Sequence, residues 1–293
     1  MAGSFSVLSP YFLTLANLEN VLSASAVIGF LALGSTFVIA SGGIDLSVAS
    51  VMALSGTTSA SILLTGPNTP PWVALIVCLI TGSVCGILTG LLIAITKAPS
   101  FIVTLGMLSV ARAVAFIVSD GTPIYGLPDA VTEWGQSTFF LLPGPIAFLF
   151  CGVIVAFLLL HCTRFGTQTL IIGDNPAAAE AMGVKVEKLR ISIFALCGGF
   201  AGIAGFIFMA RTNAGDPTAG QNYELIAITA VVLGGAKLFG GEATIIGTLL
   251  GVLCLTALQN GLNLLAVSAY FQVLFVGLVL IGAAMLERIG RRT

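Results

Sequence analysis

The chain has 293 residues, 57% of them hydrophobic and 8% charged, with 11 Lys and Arg against 12 Asp and Glu and a net charge of −1. A soluble domain of this length carries about 70 charged residues, about 25% of the chain, so these few leave the surface of a soluble globule uncovered. That excludes a soluble enzyme, and with no basic or acidic tail nothing points to nucleic acid as a partner.

In chain order, nine apolar segments are predicted, near 21–40, 44–65, 71–96, 101–118, 145–161, 190–210, 223–239, 243–264 and 265–286. No charge falls between Leu46 and Thr96 or between Ala243 and Leu286. About 20 apolar residues cross the hydrocarbon core as a helix, so the fold class is an all-α polytopic transmembrane bundle. Only Ser41-Gly42-Gly43 separates the first two segments, and glycine allows a sharp break there. Gly82, Gly86 and Gly90 recur at every fourth position, as do Gly198 with Gly202 and Gly247 with Gly251. Such spacing predicts close helix packing in lipid. The six cysteines form no CxxC pair and are expected to be small core residues, neither bridged nor metal-ligating. His161 closes an apolar run beside Arg164 and is expected at the membrane interface. Arg112 lies inside an apolar run, where an ion pair is the first expectation.

Orientation follows from the cations. Arg164, Lys185, Lys188 and Arg190 bracket the stretch 162–189, and Arg288, Arg291 and Arg292 end the chain. Four segments separate the two groups, which places both on the cytoplasmic face, and Lys97 falls on the same face. The stretch 119–144 holds Asp120, Asp129 and Glu133 without a Lys or Arg, which suits the outer face. The same count leaves the N-terminus outside with no segment to carry it there.

Asp45 sits between two apolar runs and supports two readings. It caps the helix that follows, or it lines a polar pathway. Ser47, Ser50, Ser55, Gln259, Asn260, Asn263 and Gln272 are further polar residues within or beside apolar runs, and Gln259 and Asn263 share a helix face. Interhelical hydrogen bonding is the plainer role for each of them. Between Asp174 and Gly183 a short helix is predicted from Pro176 to Met182, with Asn175 or Asp174 as N-cap and Gly183 as its stop.

Four stretches carry a resemblance. Ser41-Gly42-Gly43-Ile44-Asp45-Leu46-Ser47-Val48 looks like the signature of ribose-type sugar permeases of ABC importers. Gly173-Asp174-Asn175-Pro176-Ala177-Ala178-Ala179 with Met182-Gly183-Val184 is similar to that family's cytoplasmic loop. Thr218-Ala219-Gly220, Tyr223-Glu224-Leu225 and Ala230-Val231-Val232-Leu233-Gly234-Gly235 resemble its late-chain motif. Gly247-Thr248-Leu249-Leu250-Gly251 and Asn260-Gly261-Leu262-Asn263-Leu264-Leu265 complete the set, in the family's order. This chain departs from the pattern at Ala49, at Ile226, and at Lys237 and Glu242 around Phe239-Gly240-Gly241.

The resemblance implies one permease domain over 1–293, with 162–189 as its coupling loop. Relatives have about ten segments, so one is expected to be missing at the N-terminus. A monosaccharide is the implied cargo, delivered by a periplasmic or extracellular binding protein and moved by a dimer of permease subunits in the bacterial inner membrane. Asp45, Ser47, Gln259, Asn260 and Asn263 are the candidates for the sugar pathway. The short helix, with Asn175, Ala178, Glu180 and Gly183, is implied to dock into an ATPase subunit. No GxxxxGK[ST] occurs, so no cofactor is expected in this chain and Mg-ATP belongs to the partner. The alternatives are an ion-coupled secondary carrier, with Asp45 and Arg112 as coupling groups, and a scaffold that transports nothing.

Overall fold

The computed structural model describes residues 5–6, 8–66, 69–136, 138–139 and 142–290. The helices run α1 Leu15–Ala40, α2 Val48–Thr65, α3 Pro71–Thr96 and α4 Ser100–Val118. The strand β1 Ile124–Tyr125 and helix α5 Asp129–Gln136 follow, then the short strands β2 Thr138–Phe139 and β3 Leu142–Pro143. Next come α6 Gly144–His161, α7 Arg164–Asp174, α8 Pro176–Ala181, α9 Val186–Thr212, the strand β4 Ala214–Gly215, α10 Tyr223–Leu233, α11 Ile245–Leu264 and α12 Ala269–Gly290. Among the described residues, α1, α2, α3, α4, α6, α9 and α11 are long and apolar enough to span a membrane, and shorter apolar helices cover Tyr223–Leu233 and Tyr270–Gly282. All nine predicted segments are therefore helical, as an all-α polytopic bundle requires.

Helix α1 is the axis of the bundle. Thr14 caps its start, the Thr14 hydroxyl accepting from the Asn17 amide at 3.3 Å, and every residue from Ser25 to Ala40 is buried. A helix apolar all round belongs in an interior. Helices α3 and α4 instead leave one side open, with Leu88, Leu92, Ile95 and Ile102 exposed. That side is the one lipid would cover.

The glycine spacing does what it predicts. A Cβ on Gly82 would overlap the carbonyl oxygen of Gly198, one on Gly86 that of Phe194, and one on Gly202 that of Cys78. Helices α3 and α9 thus meet backbone to backbone, which only glycine permits. Gly251 approaches Ala230 of α10 in the same way.

The seventh predicted segment, 223–239, is shorter than expected. Its helix α10 has 11 residues and a length of about 16 Å, roughly half a hydrocarbon core. Gly234, Gly235, Gly240 and Gly241 then carry the chain onward in turns, the last three at positive φ. Those turns reach the far end of α1, where the Gly241 amide donates to the Ala40 carbonyl at 3.0 Å.

There three separate stretches meet. A Cβ on Gly173 would overlap the Ala40 carbonyl, and one on Gly240 would lie 2.7 Å from the Gly42 amide and 2.8 Å from Gly173 Cα. The Ser-Gly-Gly break, the end of α7 and the Phe-Gly-Gly turn therefore form one joint of backbone. Lys237 and Glu242, two departures from the family pattern, face each other across this turn as an ion pair.

Lys97 and Arg190 lie at this same end of the bundle, hereafter the basic end. At the opposite end β1 pairs with β4, Ile124 opposite Gly215, and Gly135 of α5 packs against the Ala210 backbone. The acidic stretch 119–144 is thus folded onto the end of α9 that lies away from Lys97, as the charge count requires. Of the C-terminal cations, Arg291 and Arg292 lie outside the described residues, and for Arg288 only the backbone is described.

Two expectations need correction. Cys78, Cys85 and Cys197 are buried, but Cys151, Cys162 and Cys254 are exposed: Cys162 lies past the end of its apolar run, and a residue inside a run, such as Cys151 or Cys254, is as free to face lipid as the core. Arg112 makes no ion pair within 4.0 Å among the described residues. Its Nη1 donates instead to the carbonyls of Pro217 at 2.6 Å and Ala219 at 2.9 Å, pinning the loop between α9 and α10. Carbonyls stripped of helix partners at a turn are good acceptors for a cation that burial has separated from water.

Candidate functional site

A cavity of about 360 Å³ opens between α1, α9, α10 and α11 in the half of the bundle away from the basic end. Its polar lining includes Asn20, Arg211, Tyr223, Thr256, Gln259, Asn260 and Asn263, and among the described residues no carboxylate lines it. Val27, Ile28 and Phe208 supply an apolar floor. The size falls within the range of small-molecule sites, about 300–1,000 Å³, and so does the mix of apolar wall and few convergent polar groups.

The sequence candidates divide here. Gln259 and Asn263, one turn apart on α11, both face the cavity, as their spacing predicts. Asn260 is already committed, since its amide and that of Asn17 exchange two bonds of 2.9 Å. The Asn263 carbonyl accepts from Gln272 at 2.7 Å. Among the described residues the side chains of Asn20, Arg211, Tyr223 and Gln259 donate and accept no hydrogen bond within the protein. These partly exposed groups keep their donors and acceptors free for water or a polar ligand in the cavity.

Arg211, Tyr223 and Asn20 were not among the sequence candidates for the pathway. Arg211 carried a signal nonetheless. It is a cation at the end of the chain's sixth segment that the charge rule assigns to the outer face, and a cation out of place there has another reason to be kept. Asn20 lies before the first predicted apolar run and carried none.

Asp45 and Ser47 are not part of this cavity. Asp45 is 4% exposed at the basic end, where its Oδ1 accepts from the Ser47 amide at 2.8 Å and the Ser47 hydroxyl at 2.6 Å. The cap position of α2 is Ser47, whose own side chain makes no cap bond. Asp45 thus organises the turn into α2 from two residues outside the cap. Asp45→Asn keeps an acceptor in place and is expected to leave stability within about 0.5 kcal/mol. Asp45→Ala removes both bonds and is expected to cost about 1–2 kcal/mol. Thermal unfolding in detergent compares the two, and an equal loss in both would deny the turn its role.

The stretch 162–189 forms a second feature at the basic end. Thr163 caps α7, accepting from the Gly166 amide at 3.4 Å. Asn175 caps α8, accepting from the Ala178 amide at 3.0 Å, and Pro176 follows at the first helical position. Of the two caps considered from sequence, Asn175 is the one used. Gly183 stops the helix at φ +83, its amide donating to the Glu180 carbonyl at 2.9 Å while Val184 reaches Ala179 at 3.0 Å. Only Ala179 of α8 is buried. Ala177, Ala178, Glu180 and Met182 are exposed, a low-relief surface with one carboxylate and one thioether.

Known transport permeases resemble this chain over most of its length. A family described as branched-chain amino acid transport system / permease component matches residues 17–284. The ribose import permease protein RbsC of Bacillus subtilis is 41% identical over 285 residues, 97% of this chain and 88% of that one. The L-arabinose transport system permease protein AraH of Escherichia coli is 37% identical over 283 residues, 97% and 86% of the two chains. The D-allose transport system permease protein AlsC of Escherichia coli is 32% identical over 286 residues, 97% and 87%. No solved structure matches the chain.

Proposed function

This chain belongs to the ribose-type sugar permease family of ABC importers, and on that premise we propose that the cavity lined by Arg211, Tyr223 and Gln259 is where a monosaccharide crosses it. The cavity carries the reading. A neutral sugar needs several donors and acceptors at once together with an apolar face, and the unpaired amides, guanidinium and phenol beside Phe208 offer both. Relatives named for ribose, arabinose and allose favour a pentose or hexose as cargo.

The rest of the assembly follows from what this chain lacks and exposes. No phosphate-cradling loop occurs in it, so ATP and Mg²⁺ bind a separate ATPase subunit. The low-relief surface of α8, with Asn175, Ala178, Glu180 and Gly183, docks that subunit. A binding protein delivers sugar at the end carrying the acidic stretch, and a second permease subunit completes the pathway. The chain is a multi-pass protein of the bacterial inner membrane, with its C-terminus in the cytoplasm and lipid around it. ATP binding in the partner shifts the permease between inward-open and outward-open states through differential binding energy. Ion coupling through Asp45 and Arg112 draws no support, because Ser47 holds the first and loop carbonyls hold the second.

Vesicles containing the permease, its ATPase and its binding protein are expected to accumulate sugar when ATP is supplied on the ATPase side. An uncoupler is expected to change that uptake little. Uptake that collapses with the ion gradient and ignores ATP would replace this reading with a secondary carrier.

A further inference from the structure

A second cavity, of about 410 Å³, lies at the basic end and shares no lining residue with the first. Among the described residues two cations line it, Lys97 at the turn between α3 and α4 and Arg190 near the start of α9, and no carboxylate does. Neither cation has an acidic partner within 4.0 Å among the described residues. The Ser100 hydroxyl, on the same wall, accepts from the Ile44 amide at 3.0 Å. Ile93, Phe101 and Phe194 add an apolar wall, and Phe101 is 47% exposed. The space therefore has a cationic, hydroxyl-bearing part beside an apolar part.

We infer that this cavity binds the phosphate-bearing headgroup of an anionic phospholipid, with Lys97 and Arg190 on the phosphate and the apolar wall on the first segment of an acyl chain. Two unpaired cations attract a phosphate, and basic pockets between membrane helices on the cytoplasmic side are suited to such headgroups. The apolar wall distinguishes a lipid from free phosphate, which would leave it bare. Ser41, Gly42 and Gly43 also line the cavity, so a bound headgroup rests against the joint where α1 ends.

Native mass spectrometry of the full chain, released from detergent after incubation with phosphatidylglycerol, phosphatidylethanolamine or neither, tests the inference. One phosphatidylglycerol is expected to be retained in preference to phosphatidylethanolamine. Lys97→Gln and Arg190→Gln are each expected to weaken retention by about fivefold. Lys188→Gln, which removes a cation of the same helix that does not line the cavity, is expected to change nothing. Arg190→Lys keeps the charge and is expected to preserve retention, which separates lost binding from lost folding. Equal retention of both lipids, or an equal effect of Lys188→Gln, would overturn the site. Displacement of the lipid by millimolar inorganic phosphate would assign the cavity to soluble phosphate and overturn the lipid.

Discussion

Arg211→Gln is expected to lower sugar uptake by about 10- to 100-fold while leaving insertion and ATPase association unchanged. Hydrogen bonds to a charged group contribute about 1.5–3 kcal/mol, and each 1.4 kcal/mol is a factor of ten. The Arg211 side chain holds nothing else in place. Its backbone carbonyl, not its guanidinium, accepts from Gln136 at 3.4 Å, so the substitution leaves the packing of α5 on α9 intact. Gln259→Leu removes a neutral partner from the same space and is expected to cost less, about tenfold. Counter-flow of labelled sugar in reconstituted vesicles measures both variants. Normal uptake in Arg211→Gln would remove the cavity from the sugar's path while leaving family membership untouched.

The other large effect is expected at Gly183. Its φ of +83 is a left-handed conformation, and nothing lies within 4 Å of a Cβ built there. Any cost of substitution is therefore backbone strain alone. Left-handed backbone costs an ordinary residue about 1–2 kcal/mol, and a β-branched one is worst placed. Gly183→Val is thus expected to depopulate the stopped form of α8 by about 5- to 30-fold and to reduce ATPase association and sugar-stimulated hydrolysis accordingly. Gly183→Asn, which tolerates left-handed backbone, is expected to retain most of both. Pull-down from detergent extracts and hydrolysis in vesicles read the pair. If Val and Asn behave alike, the stop at Gly183 is not part of coupling.

What the sequence revealed depended on how local each signal was. Charge-free runs marked the helices, and the fourfold glycine spacing marked the α3–α9 contact, because both patterns lie within one element. The turn from Asn175 to Gly183 was legible for the same reason, cap and stop being separated by eight residues of chain. The cavity was legible only in part. Gln259 and Asn263 share a helix face, but Arg211 and Asn20 reach the same space from two other helices, and no periodicity links them. Interhelical bonding was the plainer role expected of Asn260, but its partner Asn17 lies 243 residues away in sequence, where no local pattern names it. Arg112 was assigned an ion pair because carboxylates are visible in a sequence and freed carbonyls are not.

The joint of Ala40, Gly42, Gly173 and Gly240 is built from main chain, and main chain has no rotamers to absorb a push. Side-chain contacts give way by a torsion about Cα–Cβ, but a carbonyl pressed on a Cα moves only if its helix moves. Gly173 ends the helix that carries α8, and Ala40 ends the helix at the centre of the bundle. A push on Gly173 toward the axis therefore meets the Ala40 carbonyl with no side chain between them to absorb it. Machines built with such a linkage trade adjustability for fidelity: a stroke at one end is reproduced at the other, and a single added methyl group between them jams the stroke.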